Sequence, residues 1–265
     1  MYYDAHNHLQ APCFDGLHNE ILESCVGLGR MVVNGCLELD WPKVAALADA
    51  HPQVLPSFGC HPWFIHLRTA EWQKNLEGFL DQYPSAVGEI GIDRWKTDIS
   101  YDDQEEVFLT QLAMATERNL PVSIHCLKAW GRLLELLQSN PVPQRGFLLH
   151  SYGGSAEMIP AFSKLGAYYS FSGYFLRGAK GRHREAFKEV PTGRLLIETD
   201  APDMQLPDEN NKHPLEDSEG KAVNHPANIG VVYRELSKFL EEPEEQLTKG
   251  VEENFQRYFE GLQGE

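Results

Sequence analysis

The sequence predicts an α/β fold, and within that class a (β/α)8 TIM barrel. Short apolar runs alternate along the chain with longer segments of helical periodicity, a pattern typical of repeated βα units around a parallel sheet. There are eight strand-like segments, and 265 residues is close to the usual barrel size of about 250. An open, doubly wound sheet is the rival, but the Gly-rich phosphate turn after its first strand has no counterpart here.

The predicted strands and helices account for most of the chain. The first strand lies at the start, around Asp4-Ala5-His6-Asn7-His8. The other predicted strands are 31–37, 54–59, 86–93, 120–126, 146–150, 166–172 and 194–200. The predicted helices are 41–50, 69–83, 102–119, 129–138, 155–164, 183–189, 226–240 and 244–261. No linker separates them, so we expect one domain over residues 1–265.

The first strand carries polar groups where a buried strand usually carries apolar ones. Side chains two apart in a strand share a face, so Asp4, His6 and His8 point the same way. Two imidazoles that converge indicate a divalent metal, because neutral histidine is one of its preferred ligands. An exposed polar strand near a frayed terminus is the alternative.

Polar residues also end or follow most of the other strands, where the active sites of barrels lie. A single one of them could simply be a hydrogen-bonded residue at the edge of the core. Because all of them are expected at the same end of the barrel, a metal centre is favoured. Four histidines, a glutamate and an aspartate can hold two divalent ions, with Glu89 suited to bridge them. Such a pair activates water and clamps the oxygens of an ester. These rim residues are His6, His8, His61, Glu89, His125, His150 and Asp200.

Composition narrows the setting of the protein. Hydrophobic residues make up 42% of the chain and charged residues 23%, as in ordinary globular proteins. No apolar run is long enough to span a membrane and no signal sequence is evident, so we expect a cytoplasmic monomer or small homo-oligomer. The five cysteines form no CxxC pair and indicate reduced thiols. A net charge of −16 argues against attraction of the whole surface to nucleic acid.

Nine short motifs, taken together, resemble the TatD-type metal-dependent hydrolases. These are barrel enzymes of the amidohydrolase superfamily that are often assigned as deoxyribonucleases. The motifs run in the family's order from one end of the chain to the other, so the resemblance covers a single domain. They are DAHNH (4–8), GCHP (59–62), GEIGID (88–93), IHC (124–126), LHSYGGS (149–155), SFSG (170–173), ETDAP (198–202), NHP (224–226) and ENF (253–255).

The resemblance implies a two-metal site and gives several residues a role. Asp200 is implied to help deprotonate a metal-bound water, and His61 to lie near the substrate phosphate. Glu198 shares a strand face with Asp200 and either orients a neighbour or is simply a buried, hydrogen-bonded carboxylate. The implied metal ligands are His6, His8, Glu89, His125, His150 and Asp200. Glu89 and Asp200 are the implied catalytic residues. The expected ions are zinc, manganese or magnesium. Mixed nitrogen and oxygen ligands suit zinc, manganese or iron better than magnesium, which prefers oxygen ligands.

Two positions depart from the family's pattern. Leu127 stands where the family commonly has a phosphate-binding arginine, and His225 replaces a glutamate. Lys128 or Arg132 can supply charge instead, although an ammonium lacks the bidentate geometry of a guanidinium. Both departures touch the substrate region, so hydrolase chemistry is better supported than the deoxyribonuclease assignment.

The loops expected above the barrel interleave cations with aromatic rings, as single-strand binding proteins do. Solvated helix starts with aromatics that cap the barrel are the alternative. The acidic loop 203–221, with six carboxylates and two lysines, opposes a polyanion. From these loops we predict that Lys128, Tyr174 and Arg177 bind substrate, together with His61, which the resemblance implies. The loop residues are Trp63, Phe64, Arg94, Trp95, Lys96, Lys128, Trp130, Arg132, Tyr174, Phe175, Arg177, Lys180, Arg182, His183 and Arg184.

The favoured hypothesis is a metal-dependent 3′–5′ exodeoxyribonuclease that cleaves single-stranded DNA with a metal-activated water. One rival keeps the centre but acts on a small phosphate or carboxylic ester, an amide or a lactone. The other is a partner-binding scaffold in which the metal is structural.

Overall fold

Eight parallel strands form a nearly closed barrel in the computed structural model, which describes residues 1–262. Each strand pairs with the next along the chain, in the order β1 to β8. The fold-class prediction is therefore confirmed. The strands are β1 (Tyr2–Asn7), β2 (Leu28–Asn34), β3 (Val54–Phe58), β4 (Ala86–Asp93), β5 (Val122–Leu127), β6 (Phe147–Leu149), β7 (Ala167–Ser172) and β8 (Leu195–Glu198).

Nine α-helices surround the barrel in the described part of the chain. Where the sequence carries strong end signals, the helix follows them: Ser100 Oγ accepts a bond from the Asp103 amide, and Asn119 ends the same helix with a left-handed φ of 50°. The helices are α1 (His18–Ser24), α2 (Trp41–Ala50), α3 (Trp72–Gln82), α4 (Tyr101–Arg118), α5 (Trp130–Ser139), α6 (Ile159–Lys164), α7 (Gly181–Ala186), α8 (Ile229–Leu240) and α9 (Glu244–Tyr258). Within residues 1–262, none of the helices has both the length and the apolar character needed to cross a membrane.

Several elements differ from the sequence-based expectation. Helix α1 has no counterpart among the predicted helices. Strand β2 begins at Leu28 rather than at residue 31, because the first three residues of β2 are only half buried and lack an apolar signal. The loop after β8 contains a short antiparallel hairpin, β9 (Leu215–Glu216) and β10 (Ala222–Val223). The predicted helix 183–189 is α7 followed by a separate 3-10 turn. That residues 1–265 form one domain stays a prediction, and its last three residues lie outside the described range.

The barrel closes where the end of β1 meets the segment after β8. The Asp200 amide donates to the His6 carbonyl at 2.9 Å, and the His8 amide donates to the Ala201 carbonyl at 2.7 Å. Below these bonds, the buried Asp4 carboxylate accepts the Thr199 amide at 3.0 Å and also the Thr199 hydroxyl. Burial raises the pKa of Asp4 to about 7. Closure brings the residues that follow β1 and β8 side by side.

Two buried tyrosines tie the C-terminal helices to the strands. Tyr233 of α8 accepts the Tyr3 amide at 3.0 Å and donates to the Tyr3 carbonyl at 2.9 Å. Tyr258 of α9 does the same with the Val122 amide (2.9 Å) and carbonyl (2.7 Å). Each hydroxyl thereby satisfies both backbone groups of a strand residue that would otherwise be buried without a partner.

Replacing Asp4 with alanine is expected to lower the free energy of unfolding by about 2–4 kcal/mol, because it leaves the Thr199 amide buried without an acceptor. Urea unfolding in the presence of a chelator measures the change. Asp81→Ala is the matched control, since the Asp81 side chain is 70% exposed and pairs with Arg118 only at the surface. Equal losses in the two variants would contradict this role for Asp4.

Candidate metal centre

Seven polar side chains meet at the C-terminal ends of the strands. They come from β1, β4 and β5 or from the residues directly after β1, β3, β6 and β8, and nearly all are buried. The structure therefore brings together every rim residue that the sequence analysis selected. They are His6, His8, His61, Glu89, His125, His150 and Asp200.

One oxygen of the central Glu89 carboxylate faces the two histidines of the first strand. Glu89 Oε2 lies 3.3 Å from His6 Nε2 and 3.2 Å from His8 Nε2. Asp200 Oδ1 approaches the same nitrogens, at 3.6 Å from His6 and 3.4 Å from His8. Two imidazoles and two carboxylates thus enclose one candidate cation position.

The other oxygen of Glu89 faces three further histidines. Glu89 Oε1 lies 2.8 Å from His150 Nε2, 3.1 Å from His125 Nδ1 and 3.2 Å from His61 Nε2. His61, which the resemblance places near the substrate phosphate, therefore belongs to the same cluster as the second set of candidate ligands. The two sets share the Glu89 carboxylate, as a bridging ligand requires.

The outer nitrogens of the first two histidines are held by groups of the barrel. His8 Nδ1 lies 2.8 Å from the Asn34 carbonyl of β2, which can only accept, so Nδ1 carries the hydrogen. His6 Nδ1 lies 2.7 Å from the Ser123 hydroxyl of β5. For His8 this leaves Nε2 as the nitrogen that faces Glu89 and Asp200 and that can bind a metal.

His125 is fixed by a carboxylate from the neighbouring strand. Its Nε2 donates to Asp93 Oδ2 at 2.9 Å, and the same oxygen accepts the Trp63 indole N–H at 2.7 Å. Burial alone raises the pKa of Asp93, but the bonds from His125 and Trp63 outweigh it and lower that pKa to about 2. Because Asp93 holds Nε2, Nδ1 is the nitrogen of His125 that faces Glu89 and that can bind a metal.

Glu198 supports His150 from behind. The carboxylate is fully buried, accepts the hydroxyls of Ser151 and Ser170, and has Oε1 3.5 Å from His150 Nδ1. Burial lowers the pKa of His150, but Glu89 and Glu198 outweigh it and raise that pKa well above its usual value. Glu198 therefore combines the two alternatives considered from the sequence, a buried hydrogen-bonded carboxylate and a neighbour that orients a ligand.

The donor set fits divalent cations. Burial lowers the pKa of His61 to about 4 and also lowers that of His6, so both imidazoles are neutral, the form that binds metal. Burial raises the pKa of Glu89, but the surrounding histidines outweigh it and hold that pKa well below its usual value. Burial lowers the pKa of His8 and His125 as well, but their neighbours, carboxylates among them, outweigh it and raise both values, so a cation would bind there in exchange for protons.

A cavity of about 670 Å³, here called the mouth, opens above the centre. Lys128, Tyr174 and His61 line it, and their binding of substrate stays a prediction. Leu127 also lines it, with 38% of its surface exposed. From the acidic loop, the residues that line the mouth are Asp203, Met204, Gln205 and Lys221. The other carboxylates of that loop are therefore not part of the wall.

Two of the predicted cations are engaged elsewhere. The Arg177 guanidinium donates to the carbonyls of Gln205 (3.1 Å) and Leu206 (3.2 Å), which joins the loops after β7 and β8. Arg132 forms an ion pair with Glu105 at 2.7 Å, outside the mouth. Of the two candidates to replace the family's arginine, Lys128 is the one in position, and substrate binding by Arg177 stays a prediction.

The sequence analysis did not identify Asp93, Asn34 and Ser123, which hold the outer nitrogens of His125, His8 and His6. Asp93 ends β4 after an apolar run, so the strand-end argument that selected the ligands would also have found it. Asn34 and Ser123 gave no such signal. Asn34 acts through its backbone carbonyl, and Ser123 is a small residue inside a strand.

The barrel, with buried histidines and carboxylates at its C-terminal rim, is the architecture of a metal-dependent hydrolase. The chain belongs to the TatD related DNase family, whose sequence profile matches residues 3–260. This confirms the family resemblance read from the motifs.

Several relatives are similar over nearly their whole length. The uncharacterized metal-dependent hydrolase YabD of Bacillus subtilis is 30% identical, covering 98% of this chain and 99% of that protein. The crystal structure of YjjV, a TatD homolog from Escherichia coli, has a TM-score of 0.88 at 25% identity, covering 97% of both chains. A protein of Pantoea vagans named 3′-5′ ssDNA/RNA exonuclease TatD is 27% identical over 88% of both chains.

Added Mn²⁺ or Zn²⁺ is expected to raise the melting temperature of metal-depleted protein by roughly 5 °C, because a cation at 100 times its dissociation constant contributes about 2.7 kcal/mol. Differential scanning calorimetry measures the shift. His8→Ala should remove most of it, whereas His66→Ala, an exposed histidine, should retain it. A shift that survives in His8→Ala would place the ion elsewhere.

Proposed function

We propose that this protein is a divalent-metal-dependent phosphodiesterase that acts as a 3′–5′ exodeoxyribonuclease on single-stranded DNA. The observation that carries the proposal is the Glu89 carboxylate, which lies between two groups of inward-facing imidazoles directly below the mouth. The name of the exonuclease relative agrees with this substrate class.

The proposal includes two divalent ions, zinc, manganese or magnesium, that share the Glu89 carboxylate. His6, His8 and Asp200 would complete one position, and His125 and His150 the other. When bound, such ions generate a nucleophile from water at neutral pH and stabilise charge on the attacked phosphate.

Asp200 is suited to accept the proton of the attacking water. Burial raises the pKa of its carboxyl, but the hydrogen bond from His8 and the nearby imidazoles outweigh it and hold that pKa below its usual value. The carboxylate is therefore ionised at neutral pH, and it lies on the floor of the mouth. Glu89 is proposed to orient both halves of the centre rather than to move a proton.

The mouth offers both components of a single-strand binding surface. Lys128, Lys180 and Lys221 line it and can pair with phosphates, although the chain as a whole is strongly acidic. Trp95, which is 52% exposed, and Tyr174 line it as stacking platforms for bases. Charge for the backbone and rings for the bases together bind a strand without reading its sequence.

A small phosphate or carboxylic ester is the second candidate substrate. Leu127 favours it, because this exposed leucine stands in the mouth where a phosphate-binding arginine is common in the family. Hydrolysis of small esters or lactones, with oligonucleotides left intact, would favour this candidate.

We place the protein in the cytoplasm as a monomer or small homo-oligomer. All five cysteines are free thiols, which suits a reducing compartment.

The Asp200→Asn variant is expected to cleave end-labelled single-stranded DNA with kcat lowered by about 100- to 10,000-fold, because the amide cannot accept the proton. A gel assay with Mn²⁺, Zn²⁺ or Mg²⁺ measures the products. Asp208→Asn is the control, since Asp208 is exposed and does not line the mouth. Full activity in Asp200→Asn would contradict the proposed proton acceptor, and an inactive wild-type protein with metal bound would overturn the nuclease proposal.

Removing the Lys180 amine is expected to raise KM for single-stranded DNA several-fold. The slope of log KM against log salt concentration should fall by about one, as for the loss of one phosphate contact. Lys180 lines the mouth, with its amine 4.8 Å from the centre of the Tyr174 ring. The comparison is Lys180→Ala against Arg182→Ala, which removes an exposed cation outside the mouth. Steady-state kinetics at two salt concentrations distinguishes them, and equal effects would argue against a strand path past Lys180.

A further inference from the structure

A second cavity opens from the same metal centre, beside the loops that follow β1, β2 and β3. It has a volume of about 410 Å³ and is here called the side lobe. The side lobe and the mouth share wall residues at the centre, so a substrate bound over Glu89 has room to extend into both. The shared residues are His8, His61, Trp63, Glu89 and Asp203.

The two cavities differ in charge. The mouth carries three lysines, whereas the cation that lines the side lobe, among residues 1–262, is Lys43. The Lys43 amine is 3.0 Å from the Asp15 carboxylate and is therefore already paired. Most of the remaining wall is apolar and comes from the loops after β1, β2 and β3. It comprises Ala11, Pro12, Leu37, Leu39 and Phe64.

The polar groups of the side lobe are acceptors. Gln10, which is only 4% exposed, directs its amide nitrogen to the Asn34 carbonyl (2.6 Å) and to Asp40 (3.3 Å). Both of these partners accept, which assigns the other amide atom as oxygen, and that Oε1 is buried with no hydrogen-bond partner among the described residues. Asp40 and Asp203 add carboxylates to the same wall. A hydrogen-bond donor that enters the side lobe meets the carboxylates of Asp40 and Asp203. An anion meets only Lys43 among the cations of residues 1–262, and Lys43 is already paired with Asp15.

We propose that the side lobe binds the terminal nucleoside of the strand and selects an end that carries a free hydroxyl over an end that carries a phosphate. This inference rests on the proposed nuclease function and adds a substrate preference to it. The strand lies in the mouth, its last phosphodiester lies over Glu89, and the terminal sugar and base enter the side lobe.

The preference follows from desolvation. A terminal hydroxyl can donate to the Asp40 or Asp203 carboxylate in the wall, and the base can pack against Leu37 and Leu39. A terminal phosphate would lose its water and face Asp40 and Asp203 without a free cation to pair with. Discrimination against a phosphate therefore comes from repulsion and unpaired charge, not from lack of space alone.

Single-stranded DNA with an internal label, carrying a hydroxyl or a phosphate at each end in turn, tests the preference. Phosphate at the end that enters the side lobe is expected to lower kcat/KM by about tenfold or more, which corresponds to about 1.4 kcal/mol. Phosphate at the other end should change kcat/KM by less than about twofold, because that end lies toward the mouth, whose lysines can pair with a phosphate. For a 3′–5′ exonuclease the sensitive end is the 3′ end.

Two matched variants locate the effect. Leu39→Lys places a cation in the side lobe at a residue that is 81% exposed, so folding should be retained. It is expected to restore most of the cleavage of the phosphate-ended strand. Leu127→Lys adds the same charge to the mouth and should leave the ratio between the two ends unchanged.

The outcomes separate the inference from the function on which it rests. Cleavage that ignores the terminal group, or equal rescue by Leu39→Lys and Leu127→Lys, would overturn the role of the side lobe while leaving the nuclease in place. Failure to cleave any of the strands with metal bound would overturn the nuclease and, with it, this inference.

Discussion

A single buried carboxylate, surrounded by imidazoles, is the constraint on which the rest of this structure depends. Glu89 has one oxygen facing His6 and His8 and the other facing His61, His125 and His150. These groups come from β1, β4 and β5 and from just beyond β3 and β6, so the arrangement exists only if the strands end at one rim. The backbone bonds that join the end of β1 to the segment after β8 complete that rim and bring Asp200 to it. The candidate metal centre can therefore form only when the barrel closes.

Such a centre also depends on the groups behind it. An imidazole presents a lone pair inward only when its other nitrogen is held, and here a carbonyl, a hydroxyl or a carboxylate of the barrel holds it. These supporting groups are themselves fixed: Asp93 by Trp63, and Glu198 by two serine hydroxyls. The precision of the centre thus comes from polar residues within strands, where apolar residues would give a more stable barrel.

The sequence predicts the barrel and the rim because both follow from local patterns. Buried strands produce apolar runs, and an unpaired polar group at the end of such a run is costly, so residues such as His125 and Glu89 stand out. The side lobe could not be predicted, because Ala11, Leu37 and Leu39 lie in irregular loops without periodicity. Nor could the role of Arg177, since its partners are backbone carbonyls 28 and 29 residues away. Contacts between loops depend on tertiary structure and leave no local signature.

The hydrogen bonds between the C-terminal helices and the strands affect how the chain folds during synthesis. Tyr3 is hydrogen-bonded to Tyr233, and β1 meets the segment after β8, so β1 leaves the ribosome long before its partners, of which Tyr233 lies 230 residues further along the chain. Until α8 emerges, one edge of β1 and its row of backbone groups stay open, together with the polar face that carries His6. The nascent chain therefore carries an unpaired, aggregation-prone strand edge while the residues between β1 and α8 are translated, and the barrel closes only after α8 has emerged.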